Sequence, residues 1–351
     1  MHEILSRFRL EGTPVSAEPY GSGHINITRL VCTDAPHRYI LQRVNRHIFR
    51  DVPALMENIH AVTRHLAAKD PDPRHVLTLV LTHEGAPYAM DAEGEYWRVY
   101  EYVGGGICLN RAETTDDFYQ SAVAFGHFQM QLADFPARTL HETIARFHDT
   151  PARFEALHAA ADADVVGRRA GVAEELAFAY AREAGAGELM RLLRAGRLPL
   201  RVTHNDTKLN NVILDEVTRT PLCVIDLDTV MPGLVANDFG DSIRFGASTA
   251  LEDEKDLSCV RLSLPLYETY VRGFLGACGD HLTPLERETL PLGAKLITLE
   301  NGVRFLTDYL DGDHYYAVHR PEHNLDRCRT QFQLVADMET HWAEMNAAIP
   351  K

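Results

Sequence analysis

His204-Asn205-Asp206-Thr207-Lys208-Leu209-Asn210-Asn211-Val212-Ile213-Leu214 and, a few residues on, Leu222-Cys223-Val224-Ile225-Asp226 decide how this chain is read. Two short apolar runs, 212–214 and 222–225, flank a segment rich in turn formers, 216–221. That pattern is a β-hairpin signal. A hairpin sets its open ends side by side. One end carries Asp206 and Asn211 and the other carries Asp226, so three oxygen-bearing side chains are expected to converge.

Magnesium takes oxygen ligands and binds one or two carboxylates together with substrate phosphates. Phosphoryl transfer from a nucleotide uses such a metal and a carboxylate that accepts the proton of the attacking hydroxyl. His204, Asp206 and Asn211 fit the His-x-Asp-x-x-x-x-Asn spacing of a kinase catalytic loop. Asp206 is then the expected base, Asn211 and Asp226 the expected magnesium ligands, and Lys208 a cation for the moving phosphoryl group. Taken singly, Asp206 and Asn211 read as turn caps. Loop, hairpin and second Asp in this order argue for chemistry instead.

The stretch resembles the catalytic core of the aminoglycoside phosphotransferase family of small-molecule kinases. Segments 203–211, 224–233 and 237–246 are similar to the N-acetylhexosamine 1-kinases, and the similarity runs from Tyr20 to about Tyr316. The resemblance implies an α+β, bilobal, protein-kinase-like fold. It implies a β-rich nucleotide lobe over 1–100, a hinge over 101–106 and a mostly helical catalytic and substrate lobe over 107–351. ATP would be the co-substrate, with magnesium, and the product an N-acetylhexosamine 1-phosphate. By the same resemblance, His24, Arg304 and Tyr315 of the Tyr315-Tyr316 pair match positions lining the sugar site, where Asp206 and Asp228 also face substrate. A kinase for another small alcohol (a hexose, amino alcohol, homoserine-like acid or aminoglycoside) is the alternative. Asp308, Asp311 and Asp313 could then receive a cationic acceptor. A non-catalytic kinase-like binding module is the weakest reading, because base and metal ligands are all present.

Upstream, Gly21-Ser22-Gly23 leads into a strand and could let backbone amides approach phosphates, with Asn26 at the third glycine position. The next strand should carry a phosphate-binding Lys, but Gln42 and Arg43 stand there. Alternation allows only one of them to face the cleft. Leu55, Ile59, Val62 and Leu66 recur at helical spacing, and Glu57 on that helix could meet the strand cation. Strands are expected over 76–81, 87–90 and 96–102, ending at a glycine run where Glu101 and Val103 would offer backbone groups to adenine. Phe118, Ala122, Phe125, Phe128 and Leu132 make an apolar helical stripe, and 164–196 should form helices around the hairpin. Asp238 is expected to brace the catalytic loop through backbone amides, with Arg244 structural or substrate-binding. The loop over 142–150 has no role legible in its residues.

Composition narrows the classes. A chain of 351 residues with 45% hydrophobic residues can bury a sizeable core. The net charge of −15 and the lack of a basic cluster speak against a nucleic-acid partner. No apolar run approaches the ~20 residues of a membrane span, and residues 1–11 lack a signal-peptide core. Six scattered cysteines without a Cys-x-x-Cys pair read as reduced thiols of a cytoplasmic protein. His314, His319 and His323 do not complete a tetrahedral zinc set, since Pro321 interrupts them. Nothing in the chain states its oligomeric state.

Overall fold

The computed structural model describes residues 2–21 and 25–350. Ser22, Gly23 and His24, expected at the phosphates and the sugar, lie outside the described residues. A short helix, α1 (His2–Leu5), precedes the N-terminal sheet. That sheet contains β1 (Pro14–Pro19), β2 (Ile27–Thr33), β3 (Arg38–Arg43), β4 (Leu79–Val80), β5 (Ala89–Met90) and β6 (Tyr96–Glu101). Its order is β1-β2-β3-β6-β4, with β5 also on β6, and its pairs are antiparallel. Alternation along the strands sorts the residues. Val31, Tyr39, Leu41 and Val99 bury one face against Ile4, Leu5 and Phe8. Ile40 and Tyr100 turn the other way, toward α2 (Val52–Lys69). Asp51 caps α2 by accepting from Ala54 N at 3.0 Å, and Pro53 sits in the first turn, where no helical donor is lost. Leu55, Met56, Ile59 and Val62 are fully buried from it, each contributing about 1.5–3 kcal/mol of apolar burial.

β6 ends at Glu101, and the chain then enters β7 (Gly106–Ile107), which pairs with the hairpin of β9 (Val212–Asp215) and β10 (Pro221–Val224). A Cβ on Gly106 would stand 2.3 Å from Ile213 Cγ2, so this crossing admits only glycine without rearrangement. The chain leaving β6 is thus stitched directly to the β9–β10 hairpin. A second ribbon, β8 (Arg201–Thr203) with β11 (Met231–Gly233), leads into and out of the catalytic segments.

The remaining chain is helical: α3 (Thr115–Gln131), α4 (Thr150–Ala163), α5 (Ala173–Ala186), α6 (Glu188–Arg194), α7 (Val235–Gly246), α8 (Leu264–Cys278), α9 (Pro284–Asp311), α10 (His323–Thr340) and α11 (Trp342–Ala347). Thr114 and Asp117 form a capping box at α3, and Thr283 and Glu286 another at α9. One expectation is corrected here. The helices of 164–196 do not surround the hairpin; they pack with α4, α9 and α10 in a separate core. Val212 and Leu214 are instead covered by Phe118 and Phe125 of α3, Phe239 of α7 and Tyr270 and Phe274 of α8. Large aromatic faces won that position over the small, Ala-rich face of α5. Helices α7 and α9 touch backbone to backbone, since a Cβ on Gly293 would lie 2.0 Å from Ala236 O. That contact holds α7 rigidly beneath the catalytic loop. None of the described helices is long and apolar enough to cross a membrane, and all six cysteines are unpaired.

Candidate active site

The catalytic loop is held from below before it holds anything itself. Asp238, in the first turn of α7, accepts from His204 N at 2.9 Å and Asn205 N at 2.8 Å, one amide on each carboxylate oxygen. Gln129 of α3 donates to it at 2.8 Å. Asp241, one turn end further along, accepts from Thr207 N at 3.0 Å, and Ser242 Oγ donates to Thr207 O at 2.7 Å. Arg244 neutralises Asp241 through Nε and Nη2, at 3.0 and 2.9 Å, and reaches Glu252 at 2.6 Å. Arg244 is therefore a buried brace. Asp238 does what its position in the sequence suggested, whereas Asp241, Ser242 and Thr207 carried no recognisable signal.

His204 is fully buried, edge-on to Phe125 and Phe128. Its Nε2 donates to Ile225 O at 2.8 Å, leaving Nδ1 to accept from Asp206 N at 3.3 Å. This one ring ties the loop to Ile225, which lies between the end of β10 at Val224 and Asp226. Both Asn205 and Asp226 adopt left-handed backbone, with φ of 63° and 60°. Asn and Asp tolerate that region better than most residues. Such conformations persist where surrounding contacts over-determine them.

Asp206, Lys208 and Asn211 are brought together as expected. Lys208 Nζ lies 2.7 Å from Asp206 Oδ1. Asn211 Nδ2 donates to Asp206 Oδ2 at 3.0 Å and to its carbonyl at 2.8 Å. Burial pushes the Asp206 carboxyl up, but Lys208, His204 and Asn211 together leave it below its ordinary value. Burial likewise opposes the charge on Lys208, and the carboxylates of Asp206 and Asp241 more than restore it. The Asp206 carboxylate is ionised at neutral pH, with Lys208 as its counter-ion.

Asp226 behaves oppositely. Burial first, then the carboxylates of Asp228 and Asp206, push its carboxyl up to about 6. This excess negative charge is what a divalent cation relieves. Asn211 uses its amide N–H groups on Asp206, which leaves Oδ1 as the atom that would take a metal. No group of three or more His, Cys, Asp or Glu among the described residues could hold a metal by itself. One carboxylate and one amide fit magnesium shared with nucleotide phosphates. They do not fit a protein-only cage. A carboxyl whose folded pKa lies above its unfolded value destabilises the fold as it ionises, here between 3.8 and about 6. Asp226→Asn should therefore raise the melting temperature of the ligand-free protein at pH 7.5 by roughly 2–6 °C. The gain should shrink as pH falls through that window while activity is lost throughout. Calorimetry across pH checks this; a variant less stable than wild type at pH 7.5 would contradict the charge argument.

Toward the N-terminal lobe, Gln42 takes the cleft-facing position on β3. It accepts from Arg98 Nε at 2.9 Å and donates to Thr28 Oγ1 at 3.0 Å. Arg43, the alternative, is set on the opposite face by strand alternation, beside Asp91. Glu57 is also corrected. It is 68% exposed and pairs with His141 Nε2 at 2.7 Å, because the helix phase buries its neighbours Met56 and Asn58 instead. Asp228 has both oxygens occupied, one by Arg98 and the other by Asn26 Nδ2 at 2.6 Å. In this structure it ties the two lobes together. Glu101 N is committed to Thr78 O at 2.9 Å, and the Glu101 side chain faces Glu11 and His37. Val103, buried just beyond, packs in the core behind the hinge.

On the C-terminal side, Arg304 and Tyr315 do meet, with Nη2 3.5 Å from the phenol oxygen. Phe147, Tyr315 and Tyr316 place their rings 5.5, 5.8 and 5.6 Å from the guanidinium carbon. One turn back on α9, the fully buried Glu300 accepts from Thr150 Oγ1 at 2.8 Å and bonds His148 Nδ1 at 2.9 Å. His148 and Phe147 line a cavity of about 420 Å³ that reaches Asn205 of the catalytic loop. The loop over 142–150 thus forms a wall between the catalytic loop and the Arg304 cluster. Asp308 caps the turn that carries Tyr315, accepting from His314 N, Tyr315 N and Tyr316 N at 2.9, 2.7 and 3.0 Å. Asp313 is held by Arg168 at 2.6 Å and Asn324 at 2.9 Å.

A small antiparallel sheet over a helical lobe, with an ionised carboxylate beside a lysine, an amide and a second carboxylate, is the architecture of a protein-kinase-like phosphotransferase. The profile of the phosphotransferase enzyme family matches residues 16–273, and the chain belongs to that family. Among solved structures it is similar to an aminoglycoside phosphotransferase from Alicyclobacillus acidocaldarius subsp. acidocaldarius DSM 446, at 14% identity and a TM-score of 0.65 over 99% of this chain and 96% of that one. It is also similar to a microcompartment-associated aminopropanol kinase, at 18% identity and a TM-score of 0.59 over 97% and 96%. A choline kinase from Cryptosporidium parvum Iowa II matches at 13% identity and a TM-score of 0.56 over 95% and 91%. At these identities the likeness speaks for the fold.

Proposed function

We propose that this protein transfers the γ-phosphoryl group of ATP to the anomeric hydroxyl of an N-acetylhexosamine. Asp206 orients that hydroxyl and takes its proton. An anomeric hydroxyl is more acidic than an ordinary alcohol, so a carboxylate held at a low pKa suffices. Lys208 stays beside the base and balances charge near the transferring group. Magnesium, where bound, would be held by Asn211 and Asp226 and would neutralise charge on the phosphates. The rigid loop beneath, braced by Asp238 and Asp241, keeps the base from drifting, and orientation of this kind accounts for much of the catalysis of phosphoryl transfer.

The observation that carries the choice of acceptor is the state of the C-terminal carboxylates. A cationic acceptor, such as an amino alcohol or an aminoglycoside, needs acidic groups to receive it. Asp308 is consumed by three backbone amides and Asp313 by Arg168 and Asn324. Glu300 is paired with His148 and Thr150. Asp311 has no ion pair among the described residues but is exposed at the end of α9, whereas the group beside the 142–150 wall is the Arg304 guanidinium among aromatic rings, which suits the oxygens and flat face of a neutral sugar and repels a cation. ADP release should be measured over N-acetylhexosamines, plain hexoses, choline, aminopropanol and aminoglycosides, with phosphorus NMR of the product. Turnover is expected on the N-acetylhexosamines, with phosphate on the anomeric carbon. Arg304→Ala should raise the acceptor KM by about 10-fold or more while the ATP KM stays within twofold, as for loss of a charge-assisted hydrogen bond. Preference for a cationic acceptor would refute this reading.

A further inference from the structure

Kinase-like lobes normally place a Lys on the strand that holds Gln42 here and a Glu on the following helix. This chain lacks the Lys, and its Glu57 points to solvent. Gln42 pairs across the ladder with Arg98 of β6, as Thr28 pairs with Gln42 from the other side. The Arg98 side chain is 1% exposed. A charge so deeply buried is costly unless it is paired and hydrogen-bonded. Its Nε is fixed by Gln42 Oε1 at 2.9 Å, and Gln42 is itself fixed by Thr28 at 3.0 Å. Its Nη1 meets Asp228, two residues beyond Asp226, and lies by Met56 Sδ at 3.9 Å. Nη2 has no hydrogen-bond partner among the described residues. The other cation of the site, Lys208, is engaged by Asp206.

We propose that Arg98 grips the α- and β-phosphates of the nucleotide, doing from β6 what a β3 Lys does elsewhere, with Asp228 in place of the helix Glu and Gln42 as the holder. A guanidinium suits this task, because its fork can keep Gln42 and Asp228 on two nitrogens and present donors to phosphate oxygens. Asn26 holds the other Asp228 oxygen from the segment that follows the glycine loop, so the ion pair also registers the two lobes around the phosphates. The inference rests on the kinase reading.

The test is calorimetric binding of magnesium-ADP and of adenosine to the full chain. Arg98→Gln is expected to weaken ADP by about 10- to 100-fold, the loss of one or two charge-assisted hydrogen bonds. Adenosine, which has no phosphate, should change by less than about threefold. Adding Gln42→Lys to that variant should restore much of the ADP affinity, because the cation returns to β3. Arg98→Lys keeps the charge and loses the fork, so an intermediate loss on ADP alone is expected even if the Gln variant does not fold. Equal losses for ADP and adenosine, or none for either, would overturn the assignment and leave the kinase reading standing. A wild-type protein that binds no ADP would sink both.

Discussion

Replacing Asp206 by Ala or Asn is expected to lower kcat by about 10²–10⁴-fold, with ADP affinity within threefold of wild type. Three features set this size. The carboxylate is the acidic group that Lys208 and Asn211 both address, and the neighbouring carboxylate, Asp226, is on this reading taken up by the metal. It is held below its ordinary pKa, so it accepts a proton only as the acceptor hydroxyl loses one. It makes no contact expected of a nucleotide ligand, so binding survives its loss. The Asn variant keeps an acceptor for Asn211 and isolates the loss of basicity. The Ala variant also frees Lys208. Steady-state kinetics with product NMR, alongside ADP titration, measures both quantities. Because a depressed pKa leaves Asp206 ionised across the neutral range, kcat should show no acidic limb from this group until pH falls below the usual carboxylate range. An active Ala variant would remove the base assignment.

The second large effect is expected at a residue that never touches substrate. Asp238→Ala should destabilise the protein by about 3–5 kcal/mol and abolish activity at ordinary temperature. Removing the carboxylate strands the N–H groups of His204 and Asn205 in a buried site and leaves the Gln129 amide only its bond to Val202 O. Asn205 depends on these contacts for its left-handed backbone, so the loop that presents Asp206 should relax. Asn cannot substitute, since its amide would face one of the two backbone donors. Chemical denaturation reads the stability, and kcat at 15 °C reads what remains of the loop geometry. A variant of wild-type stability would show that the loop holds itself.

Much of this site is legible in the primary structure because its parts are local. The hairpin is announced by two apolar runs and a turn, and its register follows from their spacing. His204, Asp206, Lys208 and Asn211 lie within a few residues of one another, so backbone geometry alone brings them close. The α2 helix follows from its period and its Asp51-Pro53 start. What was misread or missed depends on partners far away in the chain. Glu57 was expected at the cleft, but one step of helical phase gave that side to Met56 and Asn58. Arg98 carried no signal, because its role arises from cross-strand register with Gln42 and an ion pair with Asp228. Asp308 and Asp313 looked like free acids until the fold showed Asp308 capping backbone amides and Asp313 held by Arg168 and Asn324.

The order of residues was sufficient to bring Asp206, Lys208 and Asn211 together on one loop beside a hairpin, with a glycine crossing at the entry to the helical lobe. Short-range propensity and spacing decide such things, and they survive in any context the chain adopts. Which cation is buried beside Asp228, which acids remain unpaired and which helices cover the hairpin were decided by the tertiary structure. Those outcomes turn on desolvation and charge pairing between segments distant in sequence, and a buried charge takes its partner from whatever the fold sets beside it.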